Sequence, residues 1–170
     1  MNMVATQHHL DWFRVDSRER SYQLRVGQQE WLSLTWQTIR GTCATAQTHS
    51  ERWTYTCVGY LSRLVIVQSA LTGKTLATFK PGSGGGVLRF IDGRSYILRT
   101  AQSTHLEMLW QDHQGKIVVR FNGDFGFDTK SGGVELADDS TQMPFPDTEL
   151  LISLGWYLLV SSRLDMSVIL

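Results

Sequence analysis

Several short stretches of this chain carry residue types that do chemistry, and their spacing decides whether they can. Gly73-Lys74-Thr75 has the ending of a phosphate-binding P-loop, in which backbone N–H groups cradle phosphate and the lysine adds charge. That motif requires glycine five positions before its second Gly, where this chain has Gln68, and a helix after it, where strand-like residues follow. The stretch reads as a hairpin turn. Gly82 to Gly86 lacks the G-x-G-x-x-G spacing, because Val87 stands where the last glycine would fall, and reads as a flexible loop. Asn122, Asp124 and Asp128, with Asp138 and Asp139 further on, offer oxygen ligands of the kind calcium takes. An EF-hand needs a longer loop, a glycine at a fixed place and a terminal Glu. They read as polar turns. His8, His9, His49, His105 and His113 are scattered without zinc-ligand spacing, and no G-x-S-x-G elbow is present. Cys43 and Cys57 would each need a partner base that spacing does not supply. Trp31, Trp36 and Trp53, with Arg40 among them, have the types that stack bases or sugars, although core packing accounts for half of them in an alternating strand. No catalytic, cofactor-binding or metal-ligating residue is assigned.

Bulk composition excludes little more. The chain has 170 residues, enough for one well-filled domain, and its 16 basic and 16 acidic residues cancel. Nucleic acid is therefore not an expected partner. The charges are unevenly spread, with 12 Lys and Arg against 6 Asp and Glu in residues 1–100, so a local basic surface remains open. The first residues, MNMVATQHHLDWF, lack the basic start and apolar core of a secretory signal. A cytoplasmic setting is expected, in which the two cysteines stay reduced as small core residues.

The elements that would position any site are mostly strands. Residues 1–21 read as a polar tail anchored by Trp12 and Phe13, and 22–170 as a single domain. Leu32, Leu34 and Trp36 alternate with Ser33, Thr35 and Gln37, the mark of a strand with one buried face. Tyr22–Val26, Trp53–Val58 and Thr75–Phe79 read similarly, and Thr42–Thr48 is a weaker strand whose small side chains allow a bulky group to approach. Leu64–Val67 is continuously apolar and reads as covered on both sides. Asp92-Gly93 suits a type I′ turn between Val87–Ile91 and Ser95–Thr100. Leu106–Trp110 and Ile117–Phe121 flank Asp112-His113-Gln114-Gly115, and Phe125–Thr129 and Val134–Leu136 follow. This makes about a dozen strands on tight connections, which permit antiparallel pairing.

Leu150 to Ser162, LLISLGWYLLVSS, breaks the pattern. Wound as a helix it has apolar residues all round, with Asp147 placed as its N-cap. Its rise of about 20 Å falls short of the roughly 30 Å of membrane hydrocarbon. Burial is the alternative, and a sheet closed around the helix buries every side while removing exposed strand edges. Its nine large side chains would contribute on the order of 15–25 kcal/mol before entropy is subtracted. The expected fold is mainly β: an antiparallel closed barrel of about twelve strands enclosing an apolar central helix over about Asp147–Ser162. Gly155 suggests close approach by a strand backbone. Leu164, Met166, Val168 and Leu170 alternate again as a terminal strand or tail.

With hairpins turned by Asp92-Gly93 and Asp112-His113-Gln114-Gly115 and closed by Glu149–Val160, ELLISLGWYLLV, the chain resembles the tubby C-terminal-like superfamily. That group includes the tubby, LURP-one-related and phospholipid-scramblase domains, and the resemblance covers roughly residues 22–162. It implies a twelve-stranded barrel around a central helix and a non-catalytic role in binding anionic lipid headgroups, phosphoinositides among them, or protein partners. The Lys and Arg positions of the tubby phosphoinositide pocket have no match here, and neither does the scramblase calcium segment, so no site residue carries over. The competing expectations are a lipocalin-like carrier of a small apolar ligand, which needs an empty interior, and a hydrolase using acids such as Asp124 and Asp128.

Overall fold

Alternation of apolar and polar side chains becomes twelve strands and one helix in the computed structural model, which describes residues 9–15, 18, 20–38, 41–102, 106–122, 131–136 and 145–164. The first six strands are β1 (His9–Arg14), β2 (Ser21–Val26), β3 (Gln29–Trp36), β4 (Ala44–Gln47), β5 (Arg52–Val58) and β6 (Leu64–Ser69). They continue as β7 (Thr75–Gly82), β8 (Gly85–Phe90), β9 (Ser95–Gln102), β10 (Leu106–Gln111), β11 (Ile117–Asn122) and β12 (Ser131–Leu136), before helix α1 (Phe145–Leu164). Each strand pairs antiparallel with its neighbours in sequence, and β1 pairs with β12, so the sheet closes into a barrel. Closure leaves no strand edge to protect.

Helix α1 runs through the barrel, and all its residues from Asp147 to Ser161 are buried. Its contacts come from all round the wall. Trp156 stacks on Trp12 of β1 with ring centroids 5.1 Å apart and meets Tyr22 of β2 edge-on. Tyr157 stacks on Trp36 of β3 and packs against Tyr55 of β5. The strand between those two presents Ala44, which is paired with Trp36 on one side and Tyr55 on the other. A larger side chain at Ala44 would fill the slot where the Tyr157 ring lies. The small residues of β4 thus admit a bulky group, as their composition suggests.

Several expectations change. Residues 9–14 belong to β1 rather than to a polar tail: Leu10 and Trp12 point inward, while Asp11 and Phe13 face out, so half the strand is polar by design of the barrel. Pro81 to Gly86 is a tight hairpin instead of a loop, with Pro81 paired to Gly86 and Gly82 to Gly85. Gly85 has φ of 139°, and a Cβ there would fall on the Leu98 carbonyl, so the close strand approach requires glycine. The Asp92-Gly93 turn is not type I′, because only Gly93 has positive φ; Gly93 N–H donates to the Phe90 carbonyl, giving a type I turn followed by a left-handed glycine. Asp112 to Gly115 repeats that arrangement, with Gly115 N–H donating to the Asp112 carbonyl. In β6 only Val65 and Val67 are fully buried, and Leu64 and Ile66 are half-covered outside the wall. Asp147 lies within the first turn of α1, two residues after its start, and does not cap it. Gly155 faces aromatic side chains, not strand backbone: a Cβ would strike the Phe121 ring beside Trp110. The Phe125–Thr129 strand and the stretch 165–170 lie outside the described residues.

The helix also carries more polarity than its apolar run suggests. Glu149, Ser153, Tyr157 and Ser161 recur every fourth residue, which winds a thin polar seam along one side of a helix. All four are buried.

Candidate functional site

The helix enters the barrel at one end and leaves at the other, and the two ends are built from different chemistry. The entry end is formed by the turns β2–β3, β4–β5, β6–β7, β8–β9 and β10–β11. Asp147 there is buried, accepts a hydrogen bond from the Tyr96 hydroxyl at 2.9 Å and forms an ion pair with Arg94. Arg94 is held in turn by Asp92, 2.9 Å away, and lies over the Phe90 ring. Burial, with the Asp147 charge adding to it, pushes the Tyr96 hydroxyl well above its usual range. The tyrosine is therefore a fixed proton donor, and this group is a clamp on the start of α1.

Two residues further on, Glu149 is 2 % exposed. Burial pushes its carboxyl up to about 7; hydrogen bonds from Thr48 and Trp31 oppose that shift, and the Glu51 charge reinforces it. Its Oε2 has no hydrogen-bond partner. Thr48 and Trp31 also line a cavity of about 460 Å³ on the outer side of β3 and β4, together with Gln29, Glu30, Ser33, Gln47 and His49. Glu30 is fixed by Gln23 Nε2, which donates to it at 2.6 Å.

Deeper in the barrel Ser153 and Tyr157 of the seam are satisfied from the wall. Ser153 donates to the Leu150 carbonyl at 3.2 Å and pairs with the Tyr55 hydroxyl, which leaves Tyr55 as the donor to Ser153. Tyr157 donates to the Thr42 carbonyl. Burial raises both tyrosines far above the ordinary phenol range, so neither ionises in the folded protein. These are positioning contacts: they set the rotation of α1 about its axis.

The exit end is formed by the turns β1–β2, β3–β4, β5–β6 and β7–β8, and the β9–β10 and β11–β12 connections, whose residues 103–105 and 123–130 lie outside the described residues, fall at the same end. Its inner ring is Arg20, 7 % exposed, with its guanidinium 4.7 Å from the Trp36 ring centroid and a bond to the Gly41 carbonyl. Burial lowers its pKa from the ordinary arginine value. Among the described residues the connections at this end carry Arg18, Arg20 and Arg63 and no carboxylate; Asp16, Glu19, Asp124 and Asp128, with Arg40 and Lys130, belong to connections at this end and lie outside the described residues. The β5–β6 turn, Gly59 to Arg63, projects from this rim with Tyr60 92 % and Leu61 96 % exposed.

The residues singled out by type are dispersed by the fold. Gly73 turns the chain between β6 and β7, its N–H donating to the Ser69 carbonyl, and Thr75 opens β7. His113 is exposed in the β10–β11 turn, and His49 lines the cavity. Cys43 and Cys57 are half-buried, with Cys43 Sγ 3.5 Å from the Thr56 hydroxyl. Trp36 and Trp53 are core, and Trp31 is half-buried, packed against the core while also lining the cavity. Asp124, Asp128, Asp138, Asp139, His8 and His105 lie outside the described residues. Among the described residues no three His, Cys, Asp or Glu side chains gather as a metal site would need, and no helix is long and apolar enough to cross a membrane. Reasoning from residue types missed the Arg94–Asp147–Tyr96 clamp and the buried Glu149. The four-residue spacing from Glu149 to Ser161 was the available signal for the second.

Set against known proteins, the chain matches no family model, no curated protein and no solved structure.

Proposed function

We propose that this protein is a non-catalytic, tubby-like binding module that docks its exit end on an anionic lipid surface. The observation that carries the reading is the Gly59–Arg63 turn. A tyrosine and a leucine that a soluble surface would cover stand almost fully exposed beside Arg63, on a rim that also holds Arg18. Apolar tips seat in the headgroup boundary while arginines attract the anionic charge, and the two effects reinforce each other. The resemblance to tubby-like domains supports the same ligand class. A carrier of apolar ligands would need the interior that α1 occupies, which favours the binding module over it. Co-sedimentation with phosphatidylcholine vesicles, alone and with phosphatidylserine or a phosphoinositide, tests the proposal. Binding should require the anionic lipid, weaken as salt rises and fall away in a Tyr60→Ser, Leu61→Ser double variant. Equal recovery with neutral vesicles, or none with any, would sink it.

A further inference from the structure

The entry end carries a second feature, independent of the lipid-docking rim. Among the described residues, the outer-wall cavity beside β3 and β4 has no lysine or arginine in its lining, and its one carboxylate is Glu30. Behind the wall, Glu149 is held against Trp31 and Thr48 with one carboxylate oxygen left unpartnered in a site almost wholly closed to water. A buried carboxylate without a counter-charge is costly, and a cation brought to the other side of Trp31 and Thr48 would relieve it. Glu51, exposed in the β4–β5 turn, adds the same sign. This field repels anions. The half-buried Trp31 lines the cavity with Gln29 and Gln47, and an indole ring attracts a weakly hydrated cation.

We propose that this cavity binds a small organic ammonium ion, with Trp31 as its aromatic wall and Glu30 and Glu149 as its counter-charges. Glu149 acts through the wall rather than by touching the ligand. Binding should therefore be tighter where Glu149 is ionised, and the ligand should in turn make that ionisation easier. Among the described residues the charged group that acts on Glu149 is Glu51 in the β4–β5 turn, and Glu30 and His49 line the cavity. His49 lies in that lining, so its contribution is removed by working in a His49→Gln background.

Choline is the probe, and 3,3-dimethyl-1-butanol, which has carbon in place of the charged nitrogen, is its neutral control. Binding is followed by the Trp31 indole N–H and the Gln29 and Gln47 amide resonances in 1H–15N spectra at constant ionic strength. Choline should shift these resonances saturably, with affinity about tenfold higher at about pH 8.5 than at about pH 5.5. The neutral control should leave them in place. Glu149→Gln should bind choline more weakly at the higher pH and lose the pH dependence, and Trp31→Ala should lose saturable binding. Absence of saturable choline shifts, equal shifts with the neutral control, or pH dependence persisting in Glu149→Gln would each overturn the proposal. If that variant does not fold, the Glu149 carboxyl 13C resonance answers the same question in the His49→Gln protein. Saturating choline should lower its titration midpoint, and an unmoved midpoint rejects the coupling.

Discussion

The two ends of the barrel hold the same helix by opposite means. At the entry end buried carboxylates do it: Asp147 against Arg94 and Tyr96, and Glu149 against Thr48 and Trp31. At the exit end the buried charge is a guanidinium, Arg20, lying over Trp36, and the helix is tied by a neutral tyrosine donating to the Thr42 carbonyl. An arginine keeps its charge at any pH the folded protein meets, whereas a buried carboxylate does not. Among the described residues, the buried charge at one end is thus titratable and that at the other is constant. On the proposals above, an arginine-bearing rim would suit an anionic lipid surface and a titratable end a ligand whose binding tracks pH.

Substitutions separate the parts of this comparison by size. The largest effect belongs to neither end. Leu154 is fully buried midway along α1, and Leu154→Asp places an unpaired charge inside the barrel. The cost exceeds about 5 kcal/mol, enough to abolish folding, which far-UV circular dichroism reads directly. A folded Leu154→Asp protein would mean that α1 is not enclosed.

Breaking the entry clamp comes next. Arg94→Ala leaves Asp147 with Tyr96 alone. Because Arg94 is 44 % exposed at its side chain while Asp147 is 5 % exposed, the loss should be about 2 kcal/mol in urea unfolding, short of a fully buried pair. In an Asp147→Asn background the same change should cost much less. A stability unchanged by Arg94→Ala would show that the clamp is decoration.

The pH dependence distinguishes the ends most directly. The Glu149 carboxyl ordinarily titrates at 4.5 and in the folded chain is pushed up to about 7. Between those values the folded state keeps a proton that the unfolded state has lost. Stability contributed by this group is therefore full below about pH 4.5, falls as pH rises and is lost above about pH 7, by on the order of 3 kcal/mol in all. Glu149→Gln should flatten that slope and be the more stable protein at alkaline pH. A wild-type slope that survives Glu149→Gln would move the titratable group elsewhere.

The smallest folding effect should be at the exit rim. Tyr60→Ser with Leu61→Ser removes two exposed side chains and should change stability by no more than about 0.5 kcal/mol, while vesicle binding is lost. A large drop in stability would mean that the turn is structural after all.

Much of the architecture could be read from the chain because it rests on local periodicity. Leu32, Leu34 and Trp36 declare a half-buried strand wherever they occur, and Leu150 to Val160 declares a helix needing cover on every side. Together they imply the closed barrel of twelve strands that the structure has. β1 escaped because an isolated strand with Asp11 and Phe13 on its outer face and Arg14 at its end looks polar until Trp12 has somewhere to go. The candidate sites were far less legible. Asp147 is 51 residues from Tyr96, and Glu149 meets Thr48 from more than half the chain away. Their meaning depends on which loop the barrel brings over the helix end. Hydrophobic pattern is a property of neighbours along the chain, and so the sequence by itself determined the strands, the axle and the need for closure. Desolvation and charge pairing are properties of neighbours in space. Only the tertiary structure could decide that Glu149 lost its water, that Arg20 found a ring, and that Tyr60 and Leu61 were left outside.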